Sequence, residues 1–501
     1  MFSSFLRFIG IVGFIINALH KANSCDLPAK GNPYFPNNFS FGIATSAYQI
    51  EGGWDADGKG PSIWDDFTHN YSHLIDKNST GDISADSYHH FDQDLAALKE
   101  LKVNHYRFSI SWPRIFPNGD ISSRNQKGID YYNKIIDKLL KNGIQPMVTM
   151  FHFDLPVDIQ KIGGFMSDKF IEKFVAYATE LFENFGDRVK IWMTFNEPQI
   201  FCKSSYADGR YPPLAGISGE GDYICVTNTL KAHAAVYKVY RSRFYEKQKG
   251  KISIALGNYF FLPKSNETEA AYRALQFNIG FLAHPIFHTS GGFPKVMIED
   301  IKSNSLKEGR LTSRLPSLKG YWKNLIKGSA DFFALNYYTS RMMQRAVQPK
   351  GLNPSWERDM DCDESLDPSW LKATSGTWLY CVPEGLEGML KFLRDEYGDL
   401  EVMITENGWS DVGELDDVSR IRYLKSHLQA VLNGISSGSN ITAYTYWSLI
   451  DNFEWRSGYS IKYGLYSVDF QSSNRERTPK KSANFYREVI SSKKIPNEIH
   501  V

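Results

Sequence analysis

Two glutamates in this 501-residue chain stand where a carboxylate is costly unless it has a task. One closes the run Trp192-Met-Thr-Phe-Asn-Glu-Pro198 and the other lies in Val402-Met-Ile-Thr-Glu-Asn-Gly408. Each follows several apolar or nearly apolar positions of strand character and comes just before a breaker. A buried carboxylate needs a partner. Taken singly, either glutamate could cap the N-terminus of a following helix, where negative charge is favoured. Two of them at equivalent strand ends point instead to a carboxylate pair. The chemistry such a pair performs is glycosidic cleavage: one carboxyl protonates the leaving oxygen, while the other attacks the anomeric carbon or activates water.

A carboxylate pair works only on a frame that brings distant strand ends together. Eight short runs rich in β-branched and aromatic residues read as buried strands: Phe39–Tyr48, His105–Trp112, Ile144–His152, Lys190–Pro198, Ile252–Tyr259, Asp331–Thr339, Glu401–Gly408 and Ile441–Asp451. Amphipathic stretches lie between most of them. Tyr131–Leu140 has a helical stripe that stops at Asn142-Gly143, and Asp168–Phe185 and Val418–Leu432 carry similar stripes. This alternation predicts an α/β fold in which helices cover a parallel sheet, and eight units favour a closed (β/α)8 TIM barrel. The long non-strand stretches 54–90, 199–225, 260–330 and 341–385 then become loop insertions at the catalytic face. No Gly-x-Gly-x-x-Gly turn, Walker loop or Gly-x-Ser-x-Gly elbow appears, which argues against nucleotide and serine-hydrolase chemistry.

Composition narrows the class further. Apolar types make up 42% of the chain and aromatics 14%, which excludes disorder. Lys plus Arg number 57 against 56 Asp plus Glu, so no long-range field favours nucleic acid or an anionic membrane. A prior of about 150 residues per domain suggests three domains, but one large barrel accounts for the length equally well. The 11 Trp, 28 Tyr and 33 Phe supply core, and also flat faces on which sugar rings stack.

The first 24 residues differ from the rest. Arg7 precedes an uncharged apolar run from Phe8 to Leu19, and Ala22-Asn23-Ser24 offers small residues for cleavage. The run is shorter than the roughly 20 residues a membrane anchor needs, so residues 1–24 are expected to be a signal peptide, with 25–501 one barrel domain. The expected location is secreted or extracellular, with the lysosome as the other destination. Sequons at Asn38, Asn70, Asn78, Asn266 and Asn440 agree with that route. In an oxidising compartment Cys202–Cys225 and Cys362–Cys381 are the economical disulfides, although spacing leaves the connectivity open. Cys25 is then left over or leaves with the leader. No cysteine spacing suggests zinc or an iron–sulfur cluster, and neither metal nor cofactor is expected.

Six motifs, in order, resemble the family-1 glycoside hydrolases, the β-glucosidase family, in its secreted animal form. They are Phe39-Ser-Phe-Gly-Ile-Ala-Thr-Ser-Ala-Tyr-Gln-Ile-Glu-Gly52, Tyr106-Arg-Phe-Ser-Ile-Ser-Trp112, Thr194-Phe-Asn-Glu-Pro198, Asn336-Tyr-Tyr338, Ile404-Thr-Glu-Asn-Gly408 and Trp447-Ser-Leu-Ile-Asp-Asn-Phe-Glu-Trp455. The resemblance implies that Glu197 is the general acid/base and Glu406 the nucleophile of a retaining reaction, with carboxyls roughly 5–5.5 Å apart. It implies that Arg107 and Tyr338 contact the nucleophile, and that Gln49, His152, Asn196, Asn336, Trp447, Glu454 and Trp455 bind the sugar. Read without it, His152 is a satisfied core histidine, Gln49 a polar strand end and Arg107 a strand-end ion pair. Asn196 is the expected partner of the 2-hydroxyl.

Glu454 matches the residue that binds the 4- and 6-hydroxyls, where a carboxylate would repel a 6-phosphosugar. The implied substrate is therefore a small, non-phosphorylated β-D-glucoside or short oligosaccharide, with fucosides and galactosides also admitted. Trp378 is either an aglycone platform or a loop-packing residue. Phe153 and Phe165 replace tryptophans common in relatives, and Arg456 is either a solvated charge or a contact for an acidic substituent. The alternatives are a thioglucosidase acting on glucosinolates and a non-catalytic sugar-binding relative. The chain is expected to act as a monomer or homodimer, without nucleic acid and, once the leader is removed, without a membrane.

Overall fold

The computed structural model describes residues 25–496 apart from 349, 352 and 377. The expected signal peptide lies outside the described residues. Among those described, no helix is long and apolar enough to cross a membrane.

Eight parallel strands close a barrel: β1 (Ser40–Ala44), β2 (His105–Ser109), β3 (Gln145–Phe151), β4 (Ile191–Asn196), β5 (Lys251–Pro263), β6 (Phe333–Arg345), β8 (Val402–Asn407) and β9 (Ile441–Trp447). Each pairs with the next, and β9 returns to β1 through the register Ser40↔Ala443 to Ala44↔Trp447. Every one of the eight expected runs carries a strand. Several runs overshoot at their C-terminal ends, because the chain turns there into short helices such as Ala47–Ile50 and Trp112–Ile115. Those turns form the barrel rim.

The stretch 341–385 is not purely a loop insertion. β6 runs on to Arg345 and pairs antiparallel with β7 (Cys362–Ser365), and β5 continues beside it through Phe260↔Ser340 to Pro263↔Met343. Burial explains the extension: Phe260, Phe261, Leu262 and Met343 are all covered, and each such side chain contributes about 1.5–3 kcal/mol when fully buried.

The helices follow their stripes. In Gln126–Lys141 the buried positions Ile129, Tyr132, Ile135, Ile136 and Leu139 fall on one face. The helix ends where Gly143 takes φ +72°, a conformation open to glycine without steric cost. Inside the barrel Met147, Met193, Ala255, Ala334, Met403 and Ala443 form a closed apolar layer. The polar groups of the candidate site stand farther along the same strands, towards their C-terminal ends.

Cys202 and Cys225 are bridged as expected, but the second disulfide joins Cys25 to Cys381, not Cys362 to Cys381. Economy of loop length misled here. The barrel brings Cys25 beside Cys381, 356 residues away, with a Cα–Cα distance of 5.7 Å. Cys362 is a buried free thiol on β7, and burial pushes its pKa up to about 11. The asparagines of all five sequons are exposed.

Candidate active site

Four neighbouring strands bring the two glutamates to one rim. Glu197 follows the last residue of β4 and takes φ 43°, with its N–H donated to the carbonyl of Ala255 on β5 at 2.8 Å. Gly257 of β5 pairs with Asn336 of β6, and Asn336 pairs with Glu406 of β8. Asn336 lies between the carboxyls in that order, and its Nδ2 donates to Glu197 Oε1 at 2.9 Å and to Asn196 Oδ1 at 3.0 Å.

The carboxyls have contrasting surroundings. Both oxygens of Glu406 accept hydrogen bonds: Arg107 Nη1 donates to Oε1 as an ion pair, and the Tyr338 hydroxyl donates to Oε2 at 2.8 Å. Arg107 is itself fixed by donating to the Thr405 carbonyl at 3.0 Å, Thr149 Oγ1 at 3.1 Å and Asn196 Oδ1 at 2.6 Å. Among the described residues, Glu197 makes no ion pair. Burial, and next the nearby Glu406 charge, push its pKa up to about 8.

Gly257 holds this arrangement open. A Cβ there would stand 2.0 Å from Glu197 Oε1 and 2.4 Å from its Cδ, so any side chain displaces the carboxyl. Gly257→Ala is therefore expected to lower kcat by at least about 100-fold while the barrel still folds, since displacement by about an ångström costs that much. Circular dichroism with steady-state kinetics checks this; an unchanged kcat would show that Glu197 tolerates the shift.

The expected sugar-binding side chains converge on the same rim. Asn196 Nδ2 donates to His152 Nε2 at 3.2 Å, a bond that requires the proton on Nδ1. Burial, followed by repulsion from Arg107, keeps His152 neutral. Its Nδ1 is buried and has no hydrogen-bond partner among the described residues. The rings of Trp447 and Trp455 stand 5.6 and 6.1 Å from the His152 ring. Gln49 Nε2 donates to Glu454 Oε2 at 3.2 Å and to the Phe453 carbonyl at 2.9 Å. Burial raises the Glu454 pKa to about 8, with Glu406 and Glu197 adding repulsion. Trp378 is half-buried and meets the Tyr338 ring edge-on at 5.7 Å.

All twelve expected site residues thus form one connected group. Two neighbouring readings change. Phe165 packs among Phe151, Phe170 and Phe201 in the core, whereas Phe153 faces Trp455 at 5.0 Å. Arg456 is half-buried, and its Nε donates to the Leu74 carbonyl at 3.0 Å, which ties the loop after β9 to the 54–90 insertion. Thr149, Thr405 and Gly257 belong to the site although their roles were not foreseen. Only Gly257 carried a signal, since a glycine inside a strand marks close approach.

Comparison with known proteins agrees with this geometry. The model for glycosyl hydrolase family 1 matches residues 32–495. Human lactase/phlorizin hydrolase is 45% identical over 92% of this chain, which spans only 24% of that longer protein. Human cytosolic beta-glucosidase is 44% identical over 91% of this chain and 98% of its own length. The solved structure of an aphid myrosinase superposes with a TM-score of 0.88 at 43% identity, covering 91% of this chain and 99% of the other.

Proposed function

We propose that this chain, which belongs to glycosyl hydrolase family 1 and is a glycoside hydrolase, is a secreted retaining β-glucosidase acting on small non-phosphorylated β-D-glucosides through a covalent glycosyl-enzyme. The observation that carries the reading is the unequal pair: Glu406 held by Arg107 and Tyr338, and Glu197 with its pKa raised to about 8. Two carboxyls in such different surroundings take different duties.

In the first step Glu406 attacks the anomeric carbon while Glu197 gives its proton to the departing oxygen. Tyr338 and Arg107 orient the attacking oxygen, and Asn196 binds the 2-hydroxyl, where stabilisation grows in the transition state. In the second step Glu197, now deprotonated, removes a proton from water as that water attacks the glycosyl-enzyme and releases Glu406. Secretion is supported by the two disulfides and the five exposed sequon asparagines.

The choice of sugar rests on Glu454. With Gln49 beside it, it presents a carboxyl to the 4- and 6-hydroxyls. Glu454→Ala is expected to reduce kcat/KM for a β-glucoside by about 100-fold or more, because a site built to hydrogen-bond hydroxyls loses both partners. A β-xyloside, which lacks the 6-hydroxymethyl group, should lose less. Equal losses for the two sugars would remove Glu454 from this role.

The resemblance to an aphid myrosinase keeps an S-glycoside reading alive, and substrate choice separates the two. Hydrolysis of cellobiose and aryl glucosides with little action on sinigrin supports the O-glucosidase; the reverse order makes the chain a thioglucosidase.

A further inference from the structure

A second cluster of chemistry-bearing groups lies away from the glutamate pair. His284 belongs to helix Ile279–Phe287 and His288 follows it directly, while Glu396 belongs to helix Pro383–Tyr397. Both helices lie outside the barrel. Phe287 and Tyr397, their last residues, pack on Phe333, the first residue of β6 and five positions before Tyr338. One ligand-capable atom from each of the three side chains lies within 4.8 Å of the others. They line a cavity of about 590 Å³ that also has Phe293 and Val296 in its wall.

We propose that His284, His288 and Glu396 bind a divalent transition-metal ion of the zinc class, with the fourth position open to the cavity. Three lines of chemistry support this. The donor set, two imidazoles and a carboxylate, is one that zinc accepts with three protein ligands. The supporting bonds are those a metal site needs. His284 Nδ1 is 2.9 Å from the Gly292 carbonyl, which only an N–H can satisfy, so its Nε2 keeps a lone pair. Glu396 Oε1 accepts from Gln276 Nε2 at 3.0 Å, and Tyr272 donates to the same carboxyl at 3.2–3.3 Å. Finally, the mechanism of the glutamate pair uses none of these groups.

The two imidazoles stack, with centroids 4.0 Å apart and planes 16° from parallel. Metal bonds lie in the ring plane, so binding requires His288 to rotate and give up two bonds at its Nδ1, the one accepted from the Ser290 N–H at 3.1 Å and the one to Ser290 Oγ at 2.8 Å. A tetrahedral zinc site places its ligand atoms about 3.3–3.5 Å apart, so closing the cluster takes roughly an ångström of movement.

The test is titration of the full chain, without an affinity tag and stripped with chelator, by Zn²⁺ in a calorimeter, with Co²⁺ absorption reporting the geometry. The expected result is one site per chain with tetrahedral Co²⁺ bands. Glu396→Gln and His288→Asn should each weaken it at least about 100-fold, and Gln276→Leu about 10- to 100-fold through the lost outer bond. Aryl-glucosidase activity should stay unchanged in all three variants, which also shows that they fold. Absence of stoichiometric uptake by the parent protein, or parent-like affinity in Glu396→Gln and His288→Asn, would overturn the proposal.

Discussion

Glu406→Ala is expected to lower turnover of an aryl β-glucoside by roughly 10⁵- to 10⁶-fold, the scale on which a covalent hydrolase loses its nucleophile. That loss corresponds to about 7–8 kcal/mol of transition-state stabilisation. The structure explains why no neighbour can replace it. Tyr338 and Arg107 aim their donors at the Glu406 oxygens, and without the carboxylate both point at a space that holds no nucleophile. The variant should still fold, since alanine removes charge from a buried site and leaves β8 pairing through its backbone with β6 and β9. A small anion such as azide, able to occupy the vacated space, should restore part of the rate and yield a product of inverted configuration. Steady-state kinetics with and without azide checks both outcomes; near-normal turnover in Glu406→Ala would remove it from the chemistry.

The second large effect concerns Glu197 and depends on the leaving group. Glu197→Gln keeps the shape and the hydrogen-bond reach to Asn336 but has no proton to give. Glucosides with poor leaving groups should slow by about 10²- to 10⁴-fold in their first step, whereas a dinitrophenyl glucoside, whose aglycone departs unaided, should slow far less in that step. The pH profile supplies the sign. The acid must be protonated, and burial beside Glu406 raises its pKa to about 8, so kcat/KM should hold below that value and fall as pH rises through it. In Glu197→Gln that alkaline limb should vanish. Equal slowing of both substrates, or an unaltered alkaline limb, would argue against proton donation by Glu197.

Much of this architecture was legible in the residues because its signals are local. Glu197 directly follows β4 and precedes a proline, while Glu406 stands one residue before the end of β8 and precedes Asn-Gly. A carboxylate in that position is expensive enough to be noticed. The helix Gln126–Lys141 announced itself by its stripe and its Asn-Gly stop. What stayed hidden depended on three-dimensional proximity. Nothing in the spacing joins Cys25 to Cys381, because the barrel alone makes them neighbours. The continuation of β5 and β6 beyond the rim depends on their pairing with each other and with β7, and neither strand shows it alone. His152 and Gln49 read individually as ordinary buried polar residues; they acquire a role only beside Trp447, Asn196 and Glu454. The histidine cluster combines a helix pattern with a glutamate over a hundred residues away, so sequence spacing gave it no signature.

The central claim is that hydrolysis passes through a glycosyl-enzyme formed on one particular carboxylate. A 2-deoxy-2-fluoro-β-glucoside with an activated leaving group slows the second step more than the first and traps that species. Digestion and mass spectrometry of the inactivated protein should then find one fluoroglucosyl group on the peptide that contains Val402 to Gly408, attached to Glu406. A label on any other residue, or turnover of the reagent with no label formed, would contradict the mechanism.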